Sequence, residues 1–263
     1  MSLSWPESLR LAIGESRVDV VRTGWRGAVR ESCSVEHAPG ARNEAIAASL
    51  SSALGQVRGA RKACSIVLGN GLVRYAMLPW RSEVAQKAAR HAYAQAFLEN
   101  TYGTAAQSWA VMLDESAYGE PTLACAVDRE LLESVRGTLR EAGRRAISIQ
   151  PYFCAALNRY RRKMTGLDLW FAVLEPERIC LAQIAGRSLR VLRSQRACGD
   201  ASAELAGMIE RESLVAGRAI SDARLYVFAP GATAESFMSL QQLDAETYLL
   251  PFAGDARYAM ALA

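Results

Sequence analysis

The sequence predicts an α/β protein built from two related strand-rich lobes, each with a mixed five-stranded sheet flanked by helices. Two observations support this prediction: the order of the predicted elements and the repetition of that order. A meander of three strands, a helix and a nearly continuous apolar strand follow one another near residues 9–68 and again near 168–229. That order of elements places helices on both faces of a mixed sheet. We expect the first lobe over residues 1–150 and the second over 151–263.

The first lobe opens with three short strands in which apolar and polar residues alternate. Pro39 and Gly40 end this meander, and Asn43 is placed to cap the helix that follows it. A nearly continuous apolar run (ACSIVL) then predicts a buried parallel strand. These elements are expected at residues 9–13, 17–22, 28–36, 43–57 and 63–68.

The chain then alternates strands and helices as far as the second lobe. Gly69, Asn70 and Gly71 have the composition of a hairpin turn, which predicts that the strands on either side of them pair. Pro79 and Trp80 end the second of those strands, before a long alanine-rich helix. We expect strands at 72–78, 108–114, 121–127 and 145–149, and helices at 82–98, 129–142 and 151–164.

The opening pattern returns in the second lobe. Three strands joined by short turns precede a helix that Asp200 can cap, and a buried strand then ends at Pro230 and Gly231. The strands are expected at 168–174, 178–184, 188–194 and 224–229, with the helix at 201–217.

Composition narrows the class of protein. The net charge is only +4 and the basic residues are scattered, so no nucleic-acid partner is expected. The clearest basic run, residues 159–163 (RYRRK), fits a solvated helix end, with a nucleic-acid or anionic-lipid contact as the alternative. The six cysteines are too widely spaced for a zinc site and suit a reducing compartment. With no signal peptide and no apolar run of about 18 residues, we expect a soluble cytoplasmic protein without a membrane span in this chain.

The repeated order of elements resembles the actin-like ATPase fold, with its duplicated ribonuclease-H-like lobes, which is shared by actin, Hsp70-type chaperones and sugar kinases. A narrower resemblance lies in residues 65–80 (SIVLGNGLVRYAMLPW) and the helix that follows. This stretch is similar to the cytoplasmic actin-like domains of the type II secretion protein L and the type IV pilus protein M. The fold resemblance spans nearly the whole chain, and the motif resemblance covers only about residues 65–98.

The resemblance implies where a nucleotide would bind. The family holds phosphates between two hairpins, with a glycine for close backbone approach and a carboxylate for Mg²⁺. Here the first hairpin has Gly14 followed by Glu15, where the family has an aspartate ahead of the glycine. The second has Glu175 but Pro176 instead of a glycine, which removes a donor for phosphate. The adenosine-contacting turn keeps Gly231. Because each turn departs from the family pattern, we expect no cofactor, neither ATP nor Mg²⁺.

Other chemistries have weaker support in the sequence. His37 and His91 have no Cys, Asp or Glu beside them at the spacing of metal ligands, so no metal site is expected. A G-x-S-x-G nucleophile turn and a phosphate-binding loop are both missing. A ribonuclease-H-type nuclease would need clustered carboxylates, and only Asp19 and Asp114 lie on strands that could supply them. We therefore expect no catalytic residues.

The corner after the fifth strand offers a candidate partner surface. Trp and Arg are common anchors of protein interfaces, so Arg74, Trp80 and Arg81 are predicted to face a partner. The alternative is that Trp80 is simply buried between sheet and helix.

Together these features predict a non-catalytic scaffold or assembly protein of a type IV pilus or type II secretion inner-membrane platform. Its expected partners are envelope-machinery proteins at the inner face of the inner membrane, with a homodimer left open. The alternative is an actin-like ATPase or small-molecule kinase with divergent phosphate loops, in which Gly14, Glu15, Glu175 and Gly231 bind the nucleotide.

Overall fold

The computed structural model describes residues 7–24, 27–58, 62–84, 86–217, 223–233, 236–237, 240, 243 and 245–263. The strands are β1 (Ser8–Ile13), β2 (Arg17–Thr23), β3 (Val29–Glu36), β4 (Ala63–Leu68), β5 (Arg74–Leu78), β6 (Trp109–Leu113), β7 (Thr122–Asp128), β8 (Arg145–Pro151), β9 (Asp168–Glu175), β10 (Arg178–Ala185), β11 (Ser188–Arg196), β12 (Arg224–Phe228) and β13 (Thr247–Leu249). The helices are α1 (Asn43–Gln56), α2 (Lys87–Tyr102), α3 (Arg129–Glu141), α4 (Tyr152–Tyr160), α5 (Ala201–Ala216) and α6 (Ala259–Leu262).

Two five-stranded sheets share one topology. The first has the strand order β3-β2-β1-β4-β8 and the second the order β11-β10-β9-β12-β13. In each, the three strands of the meander are antiparallel and the remaining two are parallel to the central strand. The predicted duplication of mixed five-stranded sheets is therefore confirmed.

Helices cover both faces of these sheets, as the apolar pattern of the central strands requires. In β9, residues Leu169 to Val173 are all buried, which is typical of a strand enclosed on two sides. Helices α1 and α3 pack on one face of the first sheet, and α5 packs on one face of the second. Helix α4 lies between the two sheets and buries Phe153 against apolar residues of both.

A third sheet, of order β5-β7-β6, is inserted between β4 and α3 and carries α2 on one face. The hairpin predicted at residues 69–71 is wrong. β4 pairs with β1 and β8, whereas β5 pairs with β7. Residues Asn70–Leu72 form a 3-10 turn that carries the chain from one sheet to the next, because the Gly69 N–H donates to Ile13 O at 2.8 Å and holds that residue beside β1.

Several predicted boundaries also shift. The residue that caps α1 is Arg42 and not Asn43, whose amide donates to Glu130 Oε2 at 3.3 Å instead. A separate 3-10 turn, Ser82–Val84, precedes α2, and α4 ends at Tyr160 rather than at residue 164. The C-terminal segment (Ala256–Tyr258 and α6) was not predicted, and it returns to pack on β1 and β2 of the first sheet.

Candidate functional site

The hairpin between β1 and β2 presents the first candidate residues. The Gly14 N–H donates to Arg17 O at 2.8 Å, which closes the turn tightly. Glu15 follows at the tip, with its side chain about one-third exposed (35%). The turn therefore fixes the backbone of Glu15, and the Glu15 carboxylate points toward the second sheet.

The hairpin between β9 and β10 faces it and supplies a cation. Arg178, the first residue of β10, places its Nε 3.3 Å from Glu15 Oε2 and its Nη2 3.4 Å from Glu15 Oε1. Because both oxygens of Glu15 are engaged by one guanidinium, the two hairpins are joined by a bidentate ion pair. The neighbouring Glu177 bonds Arg196 at 2.7 Å, on the outer side of the same hairpin.

Asn70 fastens the second hairpin to the first lobe. Its Nδ2 donates to Glu175 Oε2 at 2.6 Å, and its backbone N–H donates to the same oxygen at 3.2 Å. Its Oδ1 accepts from Tyr75 Oη at 2.6 Å and from the Phe153 N–H at 2.9 Å. Asn70 is fully buried, so these bonds use both ends of its amide.

Burial determines how the pKa values of Glu175 and Tyr75 differ from their usual values. Loss of hydration raises the pKa of Glu175 to about 7, and the nearby Glu15 adds to the increase. The hydrogen bonds from Asn70 and the charge of Arg178 oppose this increase without cancelling it. Burial is also the main reason why the pKa of Tyr75 is raised well above its usual value.

Three segments of the chain approach one another closely here. A Cβ at position 71 would lie 1.8 Å from Glu15 Cδ, and a Cβ at position 69 would lie 3.2 Å from Gly14 Cα and 3.3 Å from Glu175 Oε1. A side chain at position 71 would therefore have to push the Glu15 carboxylate aside, and one at position 69 would press on the backbone of Gly14. We call Glu15, Arg178, Asn70 and Glu175 the interlobe cluster.

The structure brings together three of the four residues predicted to bind a nucleotide. Glu15 and Glu175 are members of the interlobe cluster, and Gly14 lies beside it. Gly231 instead contacts the C-terminal segment, since a Cβ there would lie 3.0 Å from Ala256 Cβ. The same segment reaches Gly14, where a Cβ would lie 3.7 Å from Met260 Cε. The C-terminal segment therefore lies against both Gly14 and Gly231. Nucleotide binding by these residues stays a prediction.

The residues predicted to contact a partner lie at opposite ends of β5. Arg74 begins the strand, is exposed, and donates from Nη1 to Gly71 O at 2.9 Å. Trp80 and Arg81 follow the strand's other end, about 20 Å away at the rise of an extended chain. Trp80 is 37% exposed and meets Tyr118 edge to face at a centroid distance of 4.9 Å. The alternative interpretation of Trp80 as a buried residue does not hold.

The basic run at 159–163 is partly used inside the chain. Arg159 donates to Leu262 O, and its guanidinium lies 5.7 Å from the ring centre of Phe252. Lys163 lies 5.7 Å from the ring centre of Tyr160. The first residue of the run therefore holds the C-terminal segment in place.

Among the described residues, no three His, Cys, Asp or Glu side chains are grouped as metal ligands would be. Over the same part of the chain, no helix is long and apolar enough to cross a membrane. All six cysteines are free thiols.

Sequence reasoning missed Asn70 and Arg178. The Gly-Asn-Gly stretch marked a special backbone position, yet its Asn-Gly pair is also the usual sign of a hairpin. Arg178 has no local feature that distinguishes it from other arginines at strand ends. Its ion pair with Glu15 becomes evident only when the two hairpins are seen to face each other in the folded chain.

Comparison with known proteins identifies the fold. No family model matches the sequence, and no curated protein matches it. Among solved structures, a Bacteroides thetaiotaomicron protein with an actin-like ATPase fold and unknown function superposes with a TM-score of 0.69 at 10% identity, over 98% of this chain and 96% of that one.

Two further structures come from envelope machinery. A chain of the PilM–PilN type IV pilus biogenesis complex gives a TM-score of 0.61 at 17% identity, over 92% of this chain and 88% of that one. The cytoplasmic domain of EpsL, an inner-membrane component of the type II secretion system of Vibrio cholerae, gives 0.58 at 12% identity, over 97% and 93%. At these identities the likeness is one of fold.

Proposed function

We propose that this chain, which has the actin-like ATPase fold over nearly its whole length, is a non-catalytic assembly protein of a type IV pilus or type II secretion inner-membrane platform. In this proposal it acts by docking other envelope-machinery proteins at the cytoplasmic face of the inner membrane. Its working surface is then the outside of the molecule and not the cleft between the lobes.

The observation that carries the non-catalytic part is the Glu15–Arg178 ion pair. It joins the two hairpins between which relatives of this fold hold phosphates. A phosphate entering there would have to displace the guanidinium from Glu15 and would meet that carboxylate, a like charge. A nucleotide therefore has to break an existing bidentate contact before it can form its own.

The docking part is supported by the two envelope-machinery structures. One is part of a pilus biogenesis complex with a protein partner, and the other is a cytoplasmic domain of an inner-membrane component. Each covers more than nine-tenths of this chain. The fold alone is compatible with many functions. The proposal therefore also depends on the Glu15–Arg178 ion pair that joins the two hairpins.

One observation favours the second candidate, an actin-like ATPase or small-molecule kinase. Glu175 is a partly buried carboxyl whose pKa is raised to about 7, and carboxyls of that kind occur at catalytic sites. Its hydrogen bonds to Asn70 argue for a structural role, because they already occupy the acceptor oxygen.

Calorimetric titration with ATP and Mg²⁺ distinguishes the two candidates. We expect no binding heat from the wild-type chain, because the Glu15–Arg178 ion pair occupies the place of the phosphates. Tight binding by the wild type that Glu15→Ala abolishes would overturn the non-catalytic proposal, because Glu15 would then be a ligand of the nucleotide or its metal.

The docking role has its own test. The chain is tagged at its chromosomal locus, purified at native expression, and its co-purifying proteins are identified by mass spectrometry. We expect components of a pilus or secretion platform, enriched over a tagged unrelated cytoplasmic protein. Recovery of no such component from cells that express the platform would contradict the assignment.

A further inference from the structure

A small cavity lies at the far end of the three-stranded sheet, away from the interlobe cluster. It has a volume of about 110 Å³. Its walls come from four segments: the end of β5 with Pro79 and Trp80, the 3-10 turn at Val84, the first turns of α2, and the loop between β6 and β7. An engineered cavity of about 150 Å³ accepts a benzene ring, so this cavity has room for one apolar side chain.

Two aromatic rings stand at the cavity with much of their surface in water. Trp80 is 37% exposed and Tyr118 is 83% exposed, and the two pack edge to face. Exposed rings of this size are a common feature of binding sites, where they supply contact area at a low cost in conformational entropy.

The loop that carries Tyr118 is fixed at both sides. Ser116 Oγ and Thr122 Oγ1 are hydrogen bonded at 2.6 Å across its base. Glu120 forms an ion pair with Arg190 of β11, which ties the loop to the second sheet. Because the loop is held before any ligand arrives, binding loses less entropy than it would on a free loop.

The lining is cationic. Among the described residues that line it, Arg81 and Arg90 are charged and none is acidic. The Arg81 guanidinium lies 5.5 Å from the ring centre of Tyr93, which holds it at the rim. Helix α2 starts between the lining residues Val84 and Arg90, with no side-chain cap and no acidic residue in its first turn. The positive end of its dipole therefore adds to the attraction for an anion.

We propose that this cavity is the docking site for an extended peptide segment of a partner protein. One apolar side chain of that segment fills the cavity between Trp80 and Tyr93, and a carboxylate one or two residues away binds Arg81. This inference rests on the proposed docking function and adds the chemistry of the partner. The cationic rim matches the charge of the peptide carboxylate, and the cavity has the volume of one side chain. The exposed rings offer a surface that the peptide backbone can cover.

The test begins with a phage-displayed library of random linear nonapeptides, panned on the immobilised full chain. We expect the enriched peptides to share an aliphatic or aromatic side chain with Asp or Glu within two positions of it. Binding of a fluorescently labelled enriched peptide is then measured by anisotropy at low and at high salt. Affinity should fall as salt rises, because the carboxylate contact is exposed.

Matched variants locate the site. Arg81→Gln and Trp80→Ala should each weaken the enriched peptide about tenfold, as removal of an interface anchor does. Arg136→Gln, on the exposed face of α3, is the control and should leave the affinity unchanged. Glu83→Gln should strengthen binding about threefold, because the carboxylate of Glu83 competes with that of the peptide for Arg81. A backbone hydrogen bond and the Ser82 side chain are the main causes that lower the pKa of Glu83, and the charge of Arg81 adds to them. If Trp80→Ala fails to fold, Tyr118→Ala replaces it.

Two outcomes would overturn the cavity proposal: no enriched peptide with this pattern, or an enriched peptide that Arg81→Gln and Trp80→Ala bind as well as wild type. Neither outcome touches the docking function itself, which the co-purification experiment decides. If the wild-type chain co-purifies with no platform protein but still binds the enriched peptide, the proposed machinery is contradicted and the cavity site stands.

Discussion

Gly71 lies against the Glu15 carboxylate, and this contact predicts the effect of adding a single methyl group. In Gly71→Ala the new Cβ would lie 1.8 Å from Glu15 Cδ. Glu15 is long and partly exposed, so it can swing away and give up Arg178 instead of colliding. We expect the free energy of unfolding in urea to fall by about 1 kcal/mol, the upper value for a partly exposed ion pair. In a Glu15→Ala background the same substitution should cost almost nothing. An equal cost in both backgrounds would contradict the contact.

Glu175 makes stability depend on pH in a direction opposite to that of most carboxylates. Its pKa is raised from 4.5 to about 7, so between these values the folded chain keeps a proton that the unfolded chain releases. Stability is therefore greatest below the lower value and falls as pH rises toward neutrality, by about 3 kcal/mol in total. Glu175→Gln should flatten this part of the curve, measured by chemical unfolding at pH 5, 6, 7 and 8.

Glu177→Gln is the matched control for that experiment. Glu177 belongs to the same hairpin but is exposed and pairs with Arg196, so the slope should persist when it is replaced. Asp19, whose pKa is also raised by burial, should leave a smaller residual slope in Glu175→Gln. A slope that is identical in wild type and Glu175→Gln would show that Glu175 is ionised throughout.

The interlobe cluster marks the limit of sequence reasoning at this scale. Glu15 and Glu175 were singled out because the resemblance to the actin-like ATPase fold places phosphate-binding turns at their positions. Their partners are remote: 105 residues separate Asn70 from Glu175, and 163 separate Glu15 from Arg178. Nothing local distinguishes an asparagine that binds a buried carboxyl from one that turns a hairpin. Only the assembled sheets determine which it is.

Among the helices, α1 begins without a side-chain cap and so offers a gain in stability. Its N-cap residue, Arg42, is exposed, makes no capping hydrogen bond, and places a cation at the positive end of the helix dipole. Arg42→Ser should raise the free energy of unfolding by about 1 kcal/mol, or the melting temperature by about 2 °C. Arg42→Ala removes the charge without supplying a cap and should recover less than half of the gain. Equal gains would mean that charge, and not capping, is responsible.

Elements with long, regular patterns were predicted well, and those fixed by distant contacts were not. The bounds of β1 to β3 and of β9 to β11 were predicted to within two residues, because short turns of glycine, proline and charged residues separate these strands. The connection after β4 was misassigned because Asn-Gly between two apolar runs is the strongest local sign of a hairpin. Strand β13 has three residues, Thr247–Leu249, too few to show any period, and it exists only because β12 offers it an edge.

At the scale of the whole molecule, α4 unites the lobes. It follows β8 of the first sheet, precedes β9 of the second, and packs on both. Its Phe153 is fully buried, with its ring centre 5.5 Å from that of Phe171 in the second sheet and 6.2 Å from that of Tyr75 in the three-stranded sheet. The backbone N–H of the same residue donates to Asn70. One apolar core therefore runs through the junction, and the lobes are expected to unfold together.

Replacement of Phe153 tests this cooperativity. Phe153→Ala should cost about 4 kcal/mol, the range for truncation of a buried ring. Two single-tryptophan backgrounds report on different parts of the molecule: Trp109 in the three-stranded sheet and Trp170 in the second five-stranded sheet, with the other tryptophans replaced by phenylalanine. Their urea unfolding curves should coincide before the substitution and shift by the same amount after it, because a shared core transmits the loss to both sides. If only the Trp170 curve moved, the lobes would be separate cooperative units, and a cleft that opens and closes between them would become compatible with the fold.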